Sequence, residues 1–139
     1  MQKIQVLISN DGDIVTARQH GRKLAARLGY PPSECTLIAT AISELARNIL
    51  LFAGEGEIVL YRDRTSVVIE ARDRGPGISD TRQAMRDGYS TAGGFGMGLP
   101  GTRRIVDDFH LDSRPGAGTI VTVRKRLPRS PNGKGRPAY

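Results

Sequence analysis

The chain predicts an α/β fold, a two-layer α/β sandwich with helices laid over a single mixed β-sheet. Three observations point there. Short alternating apolar stretches at Lys3–Ile8, Glu57–Tyr61, Ser66–Arg72, Phe109–Ser113 and Thr119–Leu127 read as strands. Two long runs of helical periodicity separate the first two of these, and shorter ones precede the fourth. The resulting order, β-α-α-β-β-α-β-β, shows no repeat, and 139 residues suit one domain with one ordinary core.

The first strand places Ile4, Val6 and Ile8 on one face. Asn10, Asp11 and Asp13 then offer helix N-caps. The helix they open carries a stripe of Ile14, Val15, Ala17, Leu24, Ala25 and Leu28, broken at His20 and Gly21 and ended by Gly29. Pro31 and Pro32 interrupt the chain, and Ser33 is the expected N-cap of the strongest helix. From Ser33 to Ala53, Leu37, Ile38, Ala41, Ile42, Leu45, Ile49 and Phe52 form a broad apolar face, and Gly54 ends the run. The two alternating stretches around Arg62-Asp63-Arg64-Thr65 predict an antiparallel hairpin whose second strand delivers Asp73 to its end. A short helical segment is expected over Asp80–Asp87, then a glycine-rich loop and a third helix from about Leu99. Pro100 is acceptable in that helix because first-turn amides lack intrahelical partners. The last two strands are joined by the turn Arg114–Gly118.

Charge excludes one function class. The formal net charge is +7, from 21 basic and 14 acidic residues. Arg124, Lys125, Arg126, Arg129, Lys134 and Arg136 account for most of it, with no acid after Asp112, so the chain before them is nearly neutral. A nucleic-acid face would spread bases over the folded part. Residues 1–127 are therefore expected to form the domain, and 128–139 a basic disordered tail. No apolar run approaches a membrane span, and the N-terminal stretch reads as a strand, not a signal peptide. Cys35 is the single cysteine, which excludes an internal disulfide and fits a cytoplasmic protein.

Two features carry chemistry. Gly75 and Gly77 follow Asp73, and Gly93, Gly94, Gly96 and Gly98 precede a helix, the arrangement of a phosphate cradle. Thr40, Glu44 and Asn48 recur every four residues, so Glu44 and Asn48 project about 40° apart on one helix stripe. Taken singly, the glycine clusters read equally as surface loops, and the Glu44–Asn48 pair as an exposed helix edge.

Together they mean more. SELARN (43–48), DRGPGI (73–78), GFGMGL (94–99) and GTIVTV (118–123) occur in a fixed order and resemble the N, G1, G2 and G3 boxes of the GHKL superfamily, with its Bergerat ATP-binding fold. TAISELARNI, DRGPGISD, DGYSTAGGFGMGLPG and RRIVDDF narrow the resemblance to the anti-sigma-type serine/threonine kinases of bacterial stressosome partner switching. Arg74, where that group often has a neutral polar residue, and the tail depart from the pattern.

The resemblance implies an ATP-dependent kinase that phosphorylates STAS-domain proteins and is then released to activate a PP2C-type phosphatase. It implies that Asp73 accepts the adenine amine, that Gly75 and Gly77 turn the chain beneath the base, and that Thr119 fixes Asp73. Asn48 is the implied Mg²⁺ ligand, and Ile78, Gly94, Gly96, Gly98 and Leu99 complete the nucleotide-binding set. Glu44 is the implied general base, with Arg47 and Arg86 as helpers at the phosphates. Two other readings stand beside the kinase: an anti-sigma factor that mainly sequesters a sigma factor, and an ATP-sensing module without transfer activity.

Overall fold

The computed structural model describes residues 3–75, 98–114 and 116–128. Its elements run β1 (Ile4–Ile8), α1 (Asp11–Arg27), α2 (Pro32–Phe52), β2 (Gly56–Arg62), β3 (Ser66–Asp73), α3 (Gly98–Ile105), β4 (Asp108–Arg114) and β5 (Gly118–Arg126). The helical segment expected over Asp80–Asp87 lies outside the described residues.

The five strands form one sheet in the order β1-β2-β3-β5-β4, with helices over one face, as the α/β class predicts. Every pairing is antiparallel, so the expected mixed sheet is corrected. The connections explain this. Two helices carry the chain away from β1 and back, so β2 enters running against β1. β3 and β4 do point the same way, but β5 inserts between them and runs against both.

Alternation along the strands sets the two faces. Ile8, Ile58, Leu60, Val67, Ile69 and Val123 are fully buried beneath the helices. From above, Ile38, Ile42, Leu45 and Ile49 of α2 join the same core. Each such side chain contributes about 1.5–3 kcal/mol by leaving water. The outer face is mixed: Glu70 is bonded to Arg72, Arg124 Nε donates to Asp63 at 3.2 Å, and Leu7 and Ile120 are exposed.

α2 lies between α1 and α3 and touches β1, β2 and β3. By length and mean hydropathy, 1.4, it could cross a membrane, which corrects the expectation that no segment comes close. More than half of its apolar window, 56%, is buried inside the domain, which makes it a core helix. Its start also differs from expectation. Pro31 is the N-cap and Pro32 opens the helix, so Ser33 falls inside the first turn and no side chain caps it. The amides of Glu34 and Cys35 bond the Pro31 carbonyl instead. At α1 the expected cap holds: Asn10 accepts from the Asp13 amide, and Asp13 accepts in return from the Asn10 amide. Gly21, which looked like a break in the α1 stripe, is buried, and a Cβ there would come 2.0 Å from Ile42 Cδ1. It is where α1 and α2 approach closely, with no room for a side chain.

The end of the sheet away from Asp73 is pinned by Tyr30. Its hydroxyl donates to the Lys125 carbonyl at 2.6 Å and accepts from the Val67 amide at 3.4 Å. Burial pushes its pKa well above the usual tyrosine value, so it stays a neutral donor. Beside it, the Leu127 amide bonds the Thr65 carbonyl at 2.8 Å and ties the chain down just past β5. Replacing Tyr30 by Phe removes both contacts and is expected to cost about 1 kcal/mol in urea unfolding.

Candidate nucleotide site

Both candidate polar groups on α2 are placed by its apolar side. With Ile38, Ile42, Leu45 and Ile49 locked into the sheet, the stripe of Glu44 and Asn48 is held at the edge of the interface. Asn48 lines a narrow hollow with Leu45, Ile49 and Phe52 of α2, Ala71 and Asp73 of β3, Leu99 of α3, and Thr119 and Val121 of β5. Its volume is about 20 Å³, room for about one water. A larger, open hollow of about 640 Å³ is bounded by Leu7, Glu57, Arg72, Arg74 and Ile120. Asp73 also borders it, but Asn48 and Thr119 do not. The candidate polar groups Asn48, Asp73 and Thr119 converge at the smaller hollow.

Asp73 is the last residue of β3, and its register partner on β5 is Thr119. Asp73 Oδ1 accepts from the Gly75 amide at 2.9 Å. Burial holds the Asp73 carboxyl above the usual aspartate value, against the Gly75 and Thr119 amides, which pull it down. Thr119 is buried, and its Oγ1 shares a 2.7 Å hydrogen bond with Ser113 Oγ of β4. Gly118 has φ +86°, and a Cβ on it would meet the Asp73 carbonyl at 2.3 Å. Only glycine lets β5 begin this close to Asp73.

Glu44 stands one helical turn before Asn48 and does not line the hollow. It is 7% exposed, so its carboxylate is buried and not the exposed helix edge considered above. Arg47 Nη1 donates to Glu44 Oε1 at 2.8 Å. The buried Nδ2 of Asn48 has no hydrogen-bond partner among the described residues. A buried amide left in this way fits a site whose remaining partner is a ligand. The described residues hold no group of three or more His, Cys, Asp and Glu that could bind a metal. A carboxamide with phosphate oxygens suits magnesium, which seldom takes an all-protein cage.

The structure thus brings Asn48, Asp73, Leu99 and Thr119 around one hollow, with Gly75 hydrogen-bonded to Asp73. Gly98 opens α3. Gly77, Ile78, Gly94, Gly96 and Arg86 lie outside the described residues. Sequence reasoning missed Ala71, Val121 and Ser113. All three alternate in phase with Asp73 and Thr119, a signal that exists only once β3 and β5 are known to be neighbours.

A helix-covered antiparallel sheet with an acid ending a central strand and a carboxamide facing it from the covering helix defines an ATP-using domain of the GHKL class. The chain belongs to the histidine kinase-, DNA gyrase B- and HSP90-like ATPase family, whose profile its residues 35–129 match. It is 49% identical over 126 residues to serine/threonine-protein kinase RsbT of Bacillus subtilis, spanning 88% of this chain and 95% of that one. It is also 32% identical over 114 residues to an anti-sigma F factor of Caldanaerobacter subterraneus, covering 76% of this chain and 80% of that factor. The C4-dicarboxylate transport sensor protein DctS of Rhodobacter capsulatus is 34% identical over 131 residues, but these make up only 20% of its length.

Asp73 gives a test of the site's electrostatics. A carboxyl whose folded pKa is raised binds its proton more tightly when folded. Its stabilising share is full below the unfolded value near 3.8 and is lost as pH rises through the folded value. Ionised Asp73 is therefore a cost at neutral pH. Asp73→Asn is expected to match or exceed the wild-type urea midpoint at pH 7, with the gap closing as pH approaches 4. A lower midpoint at pH 7 would mean that the carboxylate stabilises the fold.

Proposed function

We propose that this serine/threonine kinase of the GHKL type phosphorylates a hydroxyl on STAS-domain proteins in a bacterial partner-switching pathway in the cytoplasm. Once released from them it activates a PP2C-type phosphatase. One observation carries the reading: Asn48, Asp73 and Thr119 share a hollow, and a buried carboxylate, Glu44, stands one helical turn beyond it. The near full-length similarity to a serine/threonine-protein kinase supports the class of reaction.

In this reading Asp73 accepts the exocyclic amine of adenine, which favours ATP over GTP, and Thr119 and the Gly75 amide hold Asp73 for it. Asn48 would hold magnesium through its carboxamide oxygen, together with phosphate oxygens, and the ion would neutralise charge on the phosphates. Glu44 orients the acceptor hydroxyl. The acceptor oxygen forms a bond to the γ-phosphorus as the bond from phosphorus to the β–γ bridging oxygen breaks. The hydroxyl proton passes to Glu44, and ADP departs. In such a loose transition state the protein contributes chiefly position and charge.

A second reading, sequestration of a sigma factor, is favoured by the similarity to anti-sigma F factors. Incubation with labelled ATP, Mg²⁺ and candidate STAS proteins, beside a sigma-factor pull-down, separates the two. Label on a STAS serine or threonine supports the kinase, whereas capture of a sigma factor with no STAS labelling supports the second. ATP-dependent STAS binding without labelling would make the chain a nucleotide-sensing module.

Three variants test the roles. Glu44→Ala is expected to keep Mg·ATP affinity and lose about 10²–10⁴-fold in single-turnover transfer. Asn48→Ala is expected to lose Mg²⁺-dependent binding and transfer together. Asp73→Asn is expected to weaken ATP binding roughly ten- to a hundredfold. Glu44→Ala transferring at the wild-type rate would remove Glu44 as the base.

The domain is taken to end at Leu127, whose amide is tied to Thr65 and whose side chain packs on the core. Truncation after Leu127 is expected to leave melting temperature and transfer rate near wild type. A fall in either would show that the tail belongs to the working domain.

A further inference from the structure

Glu44 is an anomaly in the packing of α2. Its side chain is 9% exposed on a helix whose neighbouring buried residues, Ser43, Leu45 and Ala46, are small or apolar. Burying a carboxylate is expensive, and a pair with one buried partner is seldom retained for stability, since apolar residues of similar volume serve as well or better. Among the described residues, Arg47, one turn on, meets Glu44 with Nη1 at 2.8 Å from Oε1. Arg47 itself is 43% exposed, so its guanidinium reaches inward from the solvent side. This is not an ordinary exposed i,i+3 pair, because only one member is in water.

We infer that Arg47 is a positioning residue for Glu44: its guanidinium fixes the carboxylate in the orientation that receives the acceptor hydroxyl. A Glu side chain has three rotatable torsions, and transfer needs its oxygen within hydrogen-bond reach of the incoming hydroxyl. A charge-assisted bond at Oε1 removes most of that freedom before the acceptor arrives. The guanidinium is suited to this because its donors are fixed in one plane, whereas an ammonium holds only a point contact. Direct phosphate neutralisation is a different role, in which Arg47 would act on ATP whether or not Glu44 were present. The inference rests on Glu44 being the base, and the test below distinguishes failure of that reading from failure of this one.

The test is a double-mutant cycle on the full chain, built from Arg47→Ala, Glu44→Ala and the double variant, with Arg47→Lys as the conservative replacement. The readout is single-turnover release of the γ-phosphoryl group from saturating Mg·ATP, whether to protein acceptor or to water. ATP affinity and urea midpoint are measured alongside. Arg47→Ala is expected to slow turnover about tenfold or more with ATP affinity unchanged, and Arg47→Lys to recover part of the loss. In the Glu44→Ala background, removing Arg47 is expected to change nothing further, since Arg47 acts through Glu44. Three results overturn the inference. Losses that multiply in the double variant mean that Arg47 acts directly on the phosphates. A fall in urea midpoint that accounts for the rate loss means a structural pair. An Arg47→Ala rate equal to wild type means that the orientation of Glu44 is set elsewhere. If Glu44→Ala alone turns over at the wild-type rate, the base assignment fails first, and a slow Arg47→Ala would then place Arg47 at the phosphates.

Discussion

The seating of α2 on the sheet is the constraint on which the rest depends. Ile38, Ile42, Leu45 and Ile49 drive one side of this 21-residue helix into β1, β2 and β3. Burial at that density fixes rotation about the helix axis as firmly as position, because a turn of even 40° would expose apolar side chains and bury polar ones. The azimuth of Glu44 and Asn48 follows directly. The close passage at Gly21 holds α1 against the same helix, and α3 supports its other side.

The second constraint is the pairing of β3 with β5. It sets Asp73 opposite Thr119, and Gly118 is what permits the chain to begin β5 beside the Asp73 carbonyl. The described part of the site is therefore built between α2 and the paired strands β3 and β5. Among the described residues its polar groups are few: a carboxyl held above its usual pKa by burial, and a buried amide nitrogen without a partner. A buried group left without a partner reduces the stability of the domain alone, and a ligand that completes it would restore that loss. The opposite end of the sheet has the contrary character. There Tyr30, Lys125, Glu34 and the Leu127 amide are all satisfied by one another or by backbone.

The chemistry that such a site supports is economical. In the proposed reading, an acid that would read the base, a carboxamide that would lie near the phosphates and a buried carboxylate would supply recognition and orientation. Phosphoryl transfer asks for little else from side chains. Water and a protein hydroxyl are chemically alike as acceptors, so the difference between an ATPase and a kinase on this fold rests on what the carboxylate is positioned to meet. The Arg47–Glu44 contact bears on that positioning directly.

Much of this was legible in the residues. Strand alternation, helix periodicity and the Asn10 cap are local properties, and local physics determined them: β1 to β5 and α1 to α3 appear close to where their patterns lie. The order of the four motifs likewise carried the family, because each is a short contiguous stretch legible without the fold. What stayed hidden depends on distant parts of the chain. The sequence contains no sign that β5 inserts between β3 and β4 and makes the sheet antiparallel throughout, since strand order is decided by packing among elements far apart in the chain. Gly21 read as a flaw in a stripe until Ile42 arrived 2.0 Å from where its Cβ would be. Pro31, not Ser33, caps α2 because its carbonyl meets the Glu34 and Cys35 amides, a matter of backbone path and not of side-chain type. Glu44 on a printed helix is an edge residue. Only the tertiary structure buried it, leaving Arg47 to reach in from solvent and bind it.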